Sequence, residues 1–157
     1  MKHPMLIITL LLLTISTSLF AQTPPVGKDK VAIGGYDLVS YFNEIKPKKG
    51  SSAIQYTYKG VHYHFASAEN KAAFSKNPEA YLPQYEGYCA YAVGKQGKKV
   101  SINPETYKIT NGKLYLFYNG SLGFSGGQFN SLEPWLANEA ELIKLSDTNW
   151  TKIVNKK

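Results

Sequence analysis

Two dipeptides constrain this chain more than any other feature. Lys59-Gly60 and Asn111-Gly112 each separate a pair of short runs with strand character. Ile54 to Tyr58 alternates around Gln55 and Thr57, and Val61-His62-Tyr63-His64-Phe65 alternates again after the turn. Side chains along a strand point to opposite faces with a period of two. Val61, Tyr63 and Phe65 therefore share one face of this hairpin, and His62 and His64 share the other. Tyr107 to Thr110 and Lys113 to Tyr118 flank Asn111-Gly112, the pair that a type I′ turn requires.

Helices fill the intervals. Ser67 is placed to cap a helix over Ala68 to Lys76, which Asn77-Pro78 ends. The glycine-rich stretch Gly120 to Gly127 reads as a mobile loop, with no phosphate-cradle motif. Glu133-Pro134-Trp135-Leu136 then opens a helix through Leu145. Leu132, Trp135, Leu136, Ala140 and Ile143 form its apolar face. A last turn or short helix follows at Asp147-Thr148-Asn149-Trp150. The order predicts an α+β fold, a single domain of small, mainly antiparallel β-hairpins packed with short helices.

The first residues read as an address. Met1-Lys2-His3 is a positive start, Met5 to Leu13 is apolar apart from Thr9, and Leu19-Phe20-Ala21 precedes Gln22. This is the pattern of a secretory signal peptide over 1–21, cleaved after Ala21. Residues 22–30, rich in Pro, Gly and charge, read as a flexible leader, and 31–157 as the domain. The expected location is exported, periplasmic or extracellular. No apolar stretch in the mature chain is long enough to span a membrane.

Composition narrows the chemistry. All 18 basic residues are Lys, and the formal net charge is +7. Without the arginine fork that grips guanine and phosphate, a nucleic-acid reader is excluded. The lysine excess suits acidic surfaces such as an anionic envelope, and Lys95, Lys98 and Lys99 form its densest loop. The single cysteine, Cys89, excludes an internal disulfide framework and a Cys-rich metal site. His62 and His64, two apart on a strand, point the same way. With Cys89 as a third ligand brought by the fold, they are the candidate metal residues, copper or zinc being the candidate ions. Cys89 itself reads either as a buried packing thiol or as a reactive one at a helix start. Tyr36, Asp37 and Tyr88 are the candidate pocket residues, although Asp37 reads first as a cap for Leu38 to Phe42 as a short helix. Seven tyrosines between Tyr56 and Tyr91 fit either packing or an aromatic binding surface.

The segment Tyr58 to Ser67, with Phe74 and Asn77-Pro78-Glu79-Ala80-Tyr81-Leu82-Pro83-Gln84-Tyr85, resembles the YHS domain family, in its exported, single-domain bacterial branch. The resemblance extends upstream through Ala32 to Phe42 and downstream through Glu86 to Ala92 and Asp147 to Trp150. Other members sit in copper-transporting ATPases and multicomponent hydroxylases, where cysteines in the pattern F-C-S-x-x-C-x-x-x-F suggest metal binding. Here the pattern reads Phe65-Ala66-Ser67-Ala68-Glu69-Asn70-Lys71-Ala72-Ala73-Phe74, with Ala66 and Asn70 at the cysteine places. An earlier cysteine is also missing around Gly34-Gly35. The expected function is a non-catalytic, ligand- or metal-ion-binding envelope protein. The alternatives are a protein-interaction module of the cell envelope, or a thiol redox protein using Cys89.

Overall fold

The computed structural model describes residues 25–123 and 126–156, so the expected signal peptide over 1–21 lies outside the described residues. Its architecture is α+β. In chain order the regular elements are α1 (Ser40–Asn43), β1 (Ser51–Tyr58), β2 (Val61–Phe65), α2 (Ala68–Lys76), α3 (Ala90–Gln96), β3 (Asn103–Thr110), β4 (Lys113–Phe117), β5 (Asn119–Ser121), β6 (Gln128–Asn130), α4 (Leu132–Ala137) and α5 (Glu139–Asn155). Among the described residues the strands form three two-stranded antiparallel ladders, each from consecutive strands.

Both expected hairpins are present. Lys59 and Gly60 have φ of 49° and 77°, and Asn111 and Gly112 have 52° and 71°. Left-handed backbone at both central positions gives the turn a twist that matches its strands. In β2, Tyr63 and Phe65 are buried while His62 and His64 are only half-buried, as the period of two requires. The Ser67 side chain accepts from the Asn70 N–H at 3.1 Å and caps α2.

Three segments depart from the sequence reading. Residues 25–30 are not a free leader: Ile33 N–H donates to Pro25 O, Gly27 N–H to Val31 O, and Pro25 is buried. The glycine-rich stretch begins within β5 and leads into β6, with Gly120 opposite Phe129. The last helix is broken at Asn138 (φ −145°) and then runs unbroken to Asn155, so the last turn or short helix expected at Asp147 to Trp150 is part of it. That break rotates the buried face. Trp135 is buried before it and Leu142 after it, whereas Leu136 is 52% exposed.

Two apolar clusters result. One gathers Ile33, Leu38, Phe65, Phe74, Ile102 and Leu116 around the first hairpin and α2. Phe74 is its centre, with Tyr63 and Phe65 ring centroids 4.8 and 5.2 Å away. The other gathers Tyr85, Val93, Tyr115, Phe117, Trp135 and Leu142 between β4, α3, α4 and α5. α3 lies very close to α5. A β-carbon at Gly94 would fall 2.5 Å from Ser146 Oγ and 3.2 Å from Leu142 O. Ser146 donates to Ala90 O at 3.0 Å, and Asn149 donates to Val93 O and Gly94 O, which ties the two helices.

Candidate functional site

A cavity of about 780 Å³ lies on the seam between these two clusters. That volume suits a small organic molecule. Ala32, Ile33 and Tyr63 line it from the first cluster, and Tyr85, Tyr88 and Trp150 from the second. Lys59, Glu79, Glu86 and Asp147 stand at its exposed edge.

A strained turn shapes the aromatic wall. Tyr85, Glu86 and Gly87 have φ of 57°, 54° and 82°, three left-handed residues in succession. Each such non-glycine residue costs about 1–2 kcal/mol. Gly87 has no alternative, because a β-carbon there would lie 2.8 Å from Ile33 Cδ1 and 3.2 Å from atoms of Pro25 and Pro83. Tyr85 is thereby buried, its ring centroid 5.9 Å from that of Trp150, and its hydroxyl donates to Asp147 Oδ1 at 2.9 Å. Burial, then the Asp147 hydrogen bond and charge, push the Tyr85 phenol far above the ordinary tyrosine range. It stays protonated and orients Asp147. Backbone strain held by surrounding packing concentrates at functional sites.

The edge charges are arranged in pairs. Lys59 donates to Glu79 at 2.7 Å, as does the Tyr58 hydroxyl at 2.8 Å, and these bonds hold Glu79 below the usual carboxylate range. Lys99 pairs with Glu86 at 3.3 Å and sits over the rings of Tyr88 and Trp150.

The structure distributes the residues singled out from sequence over separate places. Tyr88 lines the cavity. Asp37 does not face it. Asp37 is fully buried, and its Oδ1 accepts from the Val39 and Ser40 N–H groups, at 2.9 and 3.4 Å, which makes it the cap of α1. Its Oδ2 accepts from Ala66 N–H at 2.9 Å and from the Asn70 side chain at 2.7 Å. Tyr36 is also elsewhere, donating to Glu105 at 2.8 Å with Lys49 over its ring. His62 pairs with Thr57 Oγ1 at 2.9 Å, and the His64 ring stands against Gly35. Cys89 is 1% exposed, and its sulfur accepts from Tyr118 N–H and lies 3.3 Å from Ser131 Oγ. Among the described residues no three His, Cys, Asp or Glu side chains are gathered to hold a metal, so His62, His64 and Cys89 are not brought together.

Tyr85, Asp147, Trp150 and the Lys59–Glu79 pair carry no local motif that marks them as site residues. Their segments are visible as parts of the resemblance, but Tyr85 and Asp147 stand 62 positions apart and nothing local links them.

The YHS domain family model matches residues 39–85. The chain carries a YHS domain. The matched residues run from the start of α1 to Tyr85, at the strained turn, and supply Lys59, Tyr63, Glu79 and Tyr85 to the cavity. Pro25 to Ile33, Tyr88 and α5 add the remaining walls from outside them. No curated protein and no solved structure matches the chain. YHS domains are often associated with copper handling. The donor set at this domain's two cysteine places does not fit a soft metal. Ala66 offers no ligating side chain, and the Asn70 amide donates to Asp37 Oδ2.

Proposed function

We infer that this protein is a small, non-catalytic binding protein whose YHS domain and last helix together hold a small organic ligand in the aromatic cleft. One observation carries the reading: a cavity of about 780 Å³ whose wall is built by a strained left-handed turn at Tyr85–Glu86. A scaffold that retains such strain beside a cavity has the mark of a site. Tyr63, Tyr88 and Trp150 supply apolar ring surface, while Asp147 and the Lys59–Glu79 pair supply polar groups at its edge. Ligand binding, the first of the two binding modes expected from sequence, is favoured over metal binding. Cys89 is enclosed by Tyr118 and Ser131, and the cysteine places of the YHS domain serve Asp37 instead. The short positive start and apolar run before Ala21 support export of the domain to an envelope compartment.

Trp150 is half-buried at the cleft, against Tyr85 and Tyr88, so Trp150→Ala removes an aromatic wall of the site. A thermal-shift screen of small organic molecules should yield compounds that raise the melting temperature of the wild-type chain but not of Trp150→Ala. Compounds that raise both equally bind elsewhere. A screen in which none separates the two proteins contradicts the reading.

A further inference from the structure

Given a ligand in this cleft, the geometry points to an organic cation: an ammonium group beside Asp147, carried on an apolar body that lies against Tyr63, Tyr88 and Trp150. This identification rests on the cleft being the binding site, and two observations narrow the ligand to that class.

The first is the charge left over at the edge. Glu79 has Lys59 at 2.7 Å and Glu86 has Lys99 at 3.3 Å. Asp147 differs from both. Its Oδ1 accepts from the Tyr85 hydroxyl at 2.9 Å, and among the described residues no lysine pairs with it. A neutral hydroxyl orients a carboxylate without cancelling its charge. Lys59 and Lys99 offset Glu79 and Glu86, which leaves Asp147 as the carboxylate of the cleft without a lysine partner, on a chain whose formal charge is +7. The cleft thus carries one unbalanced negative charge within a positive molecule, and an anionic ligand would meet it at Asp147.

The second observation is the use this chain already makes of the rings. The Lys99 ammonium stands 4.9 Å from the Tyr88 centroid and 5.0 Å from the Trp150 centroid. Both rings belong to the cleft wall. The negative faces of tyrosine and tryptophan attract cations, and more strongly as water is excluded. The Tyr88–Trp150 pair, centroids 6.3 Å apart, therefore offers a surface suited to an ammonium-bearing ligand.

Three probes of similar shape separate this identification from the cleft reading beneath it: phenethylammonium, neutral 2-phenylethanol and anionic 3-phenylpropionate. Each is titrated into the full chain and followed in ¹H–¹⁵N spectra, where the Trp150 indole signal reports the cleft and that of buried Trp135 serves as the internal control. Phenethylammonium should shift the Trp150 signal saturably and bind about tenfold tighter than 2-phenylethanol, with 3-phenylpropionate weakest. Asp147→Asn keeps an acceptor for Tyr85 and removes the charge. It should bring the cation down to the affinity of the alcohol. If the alcohol or the carboxylate binds at Trp150 as tightly as the cation, the cation identification is wrong and the cleft stands. If no probe shifts Trp150, both are wrong.

Discussion

Asp37 has the most demanding environment of any single residue here. Its two oxygens accept from three backbone N–H groups and the Asn70 amide, and the side chain is fully buried. These bonds join α1 to the start of α2 at the two places where other YHS domains carry cysteines. Removing a buried acceptor leaves its donors without water or partner, so Asp37→Ala should cost about 3 kcal/mol in denaturant unfolding. Asp37→Asn should also destabilise, because its amide would set hydrogens against Ala66 N–H and the Asn70 side chain. A variant of either kind as stable as the wild type would show that the bonds do not hold the domain together. Legibility at this scale was uneven. A cap by Asp37 was readable, since Asx side chains bond the backbone two residues on. Its second oxygen's partners, 29 and 33 residues away, were not. The burial of Cys89 followed the common habit of cysteine, but the Tyr118 and Ser131 contacts depend on how β4 and α4 pack.

At the level of elements, the hairpins were legible because their cause is local. A turn that needs two left-handed residues selects Asn-Gly or Lys-Gly, and the strands carry their own period. The helices at the end were less so. Asn138 is a weak helix breaker, and the break there accompanies the burial of Trp135 against Phe117, ring centroids 5.2 Å apart, with the indole N–H donating to Glu139. No periodicity reveals such a break, because the apolar face changes phase across it. The α3–α5 contact at Gly94 is equally silent in sequence, yet it positions α5, which carries Asp147 and Trp150 into the cleft. Gly94→Ala must displace the Ser146 hydroxyl and press on the Leu142 carbonyl. Overpacking of this kind should cost about 1–3 kcal/mol in a denaturation midpoint measured at unchanged m-value. It should also weaken any cleft ligand, since the helix that moves is a cleft wall. Unchanged stability would mean that α5 is not seated on α3 as closely as described.

Over the whole molecule, burial acts on the tyrosines together. Desolvation raises Tyr41, Tyr63, Tyr85 and Tyr115 above the ordinary range, and Tyr36, which also bonds Glu105, is pushed up to about 12. The unfolded chain releases these protons near pH ~10, whereas the folded chain holds them. Stability from this source is therefore complete below about pH 10 and is lost as pH rises toward and through the folded values. Tyrosinate absorbance from the buried phenols should appear together with the cooperative loss of circular dichroism. Gradual ionisation of all 12 tyrosines near pH ~10 with the fold intact would contradict this picture of their burial. The cleft also belongs to this scale, because neither apolar cluster contains it alone: it exists only where they meet. Crystallographic fragment soaking tests it most directly. Fragments should collect between Tyr63, Tyr88 and Trp150, with polar groups toward Asp147. A cleft that stays empty while fragments settle on other surfaces would contradict a binding role for this site.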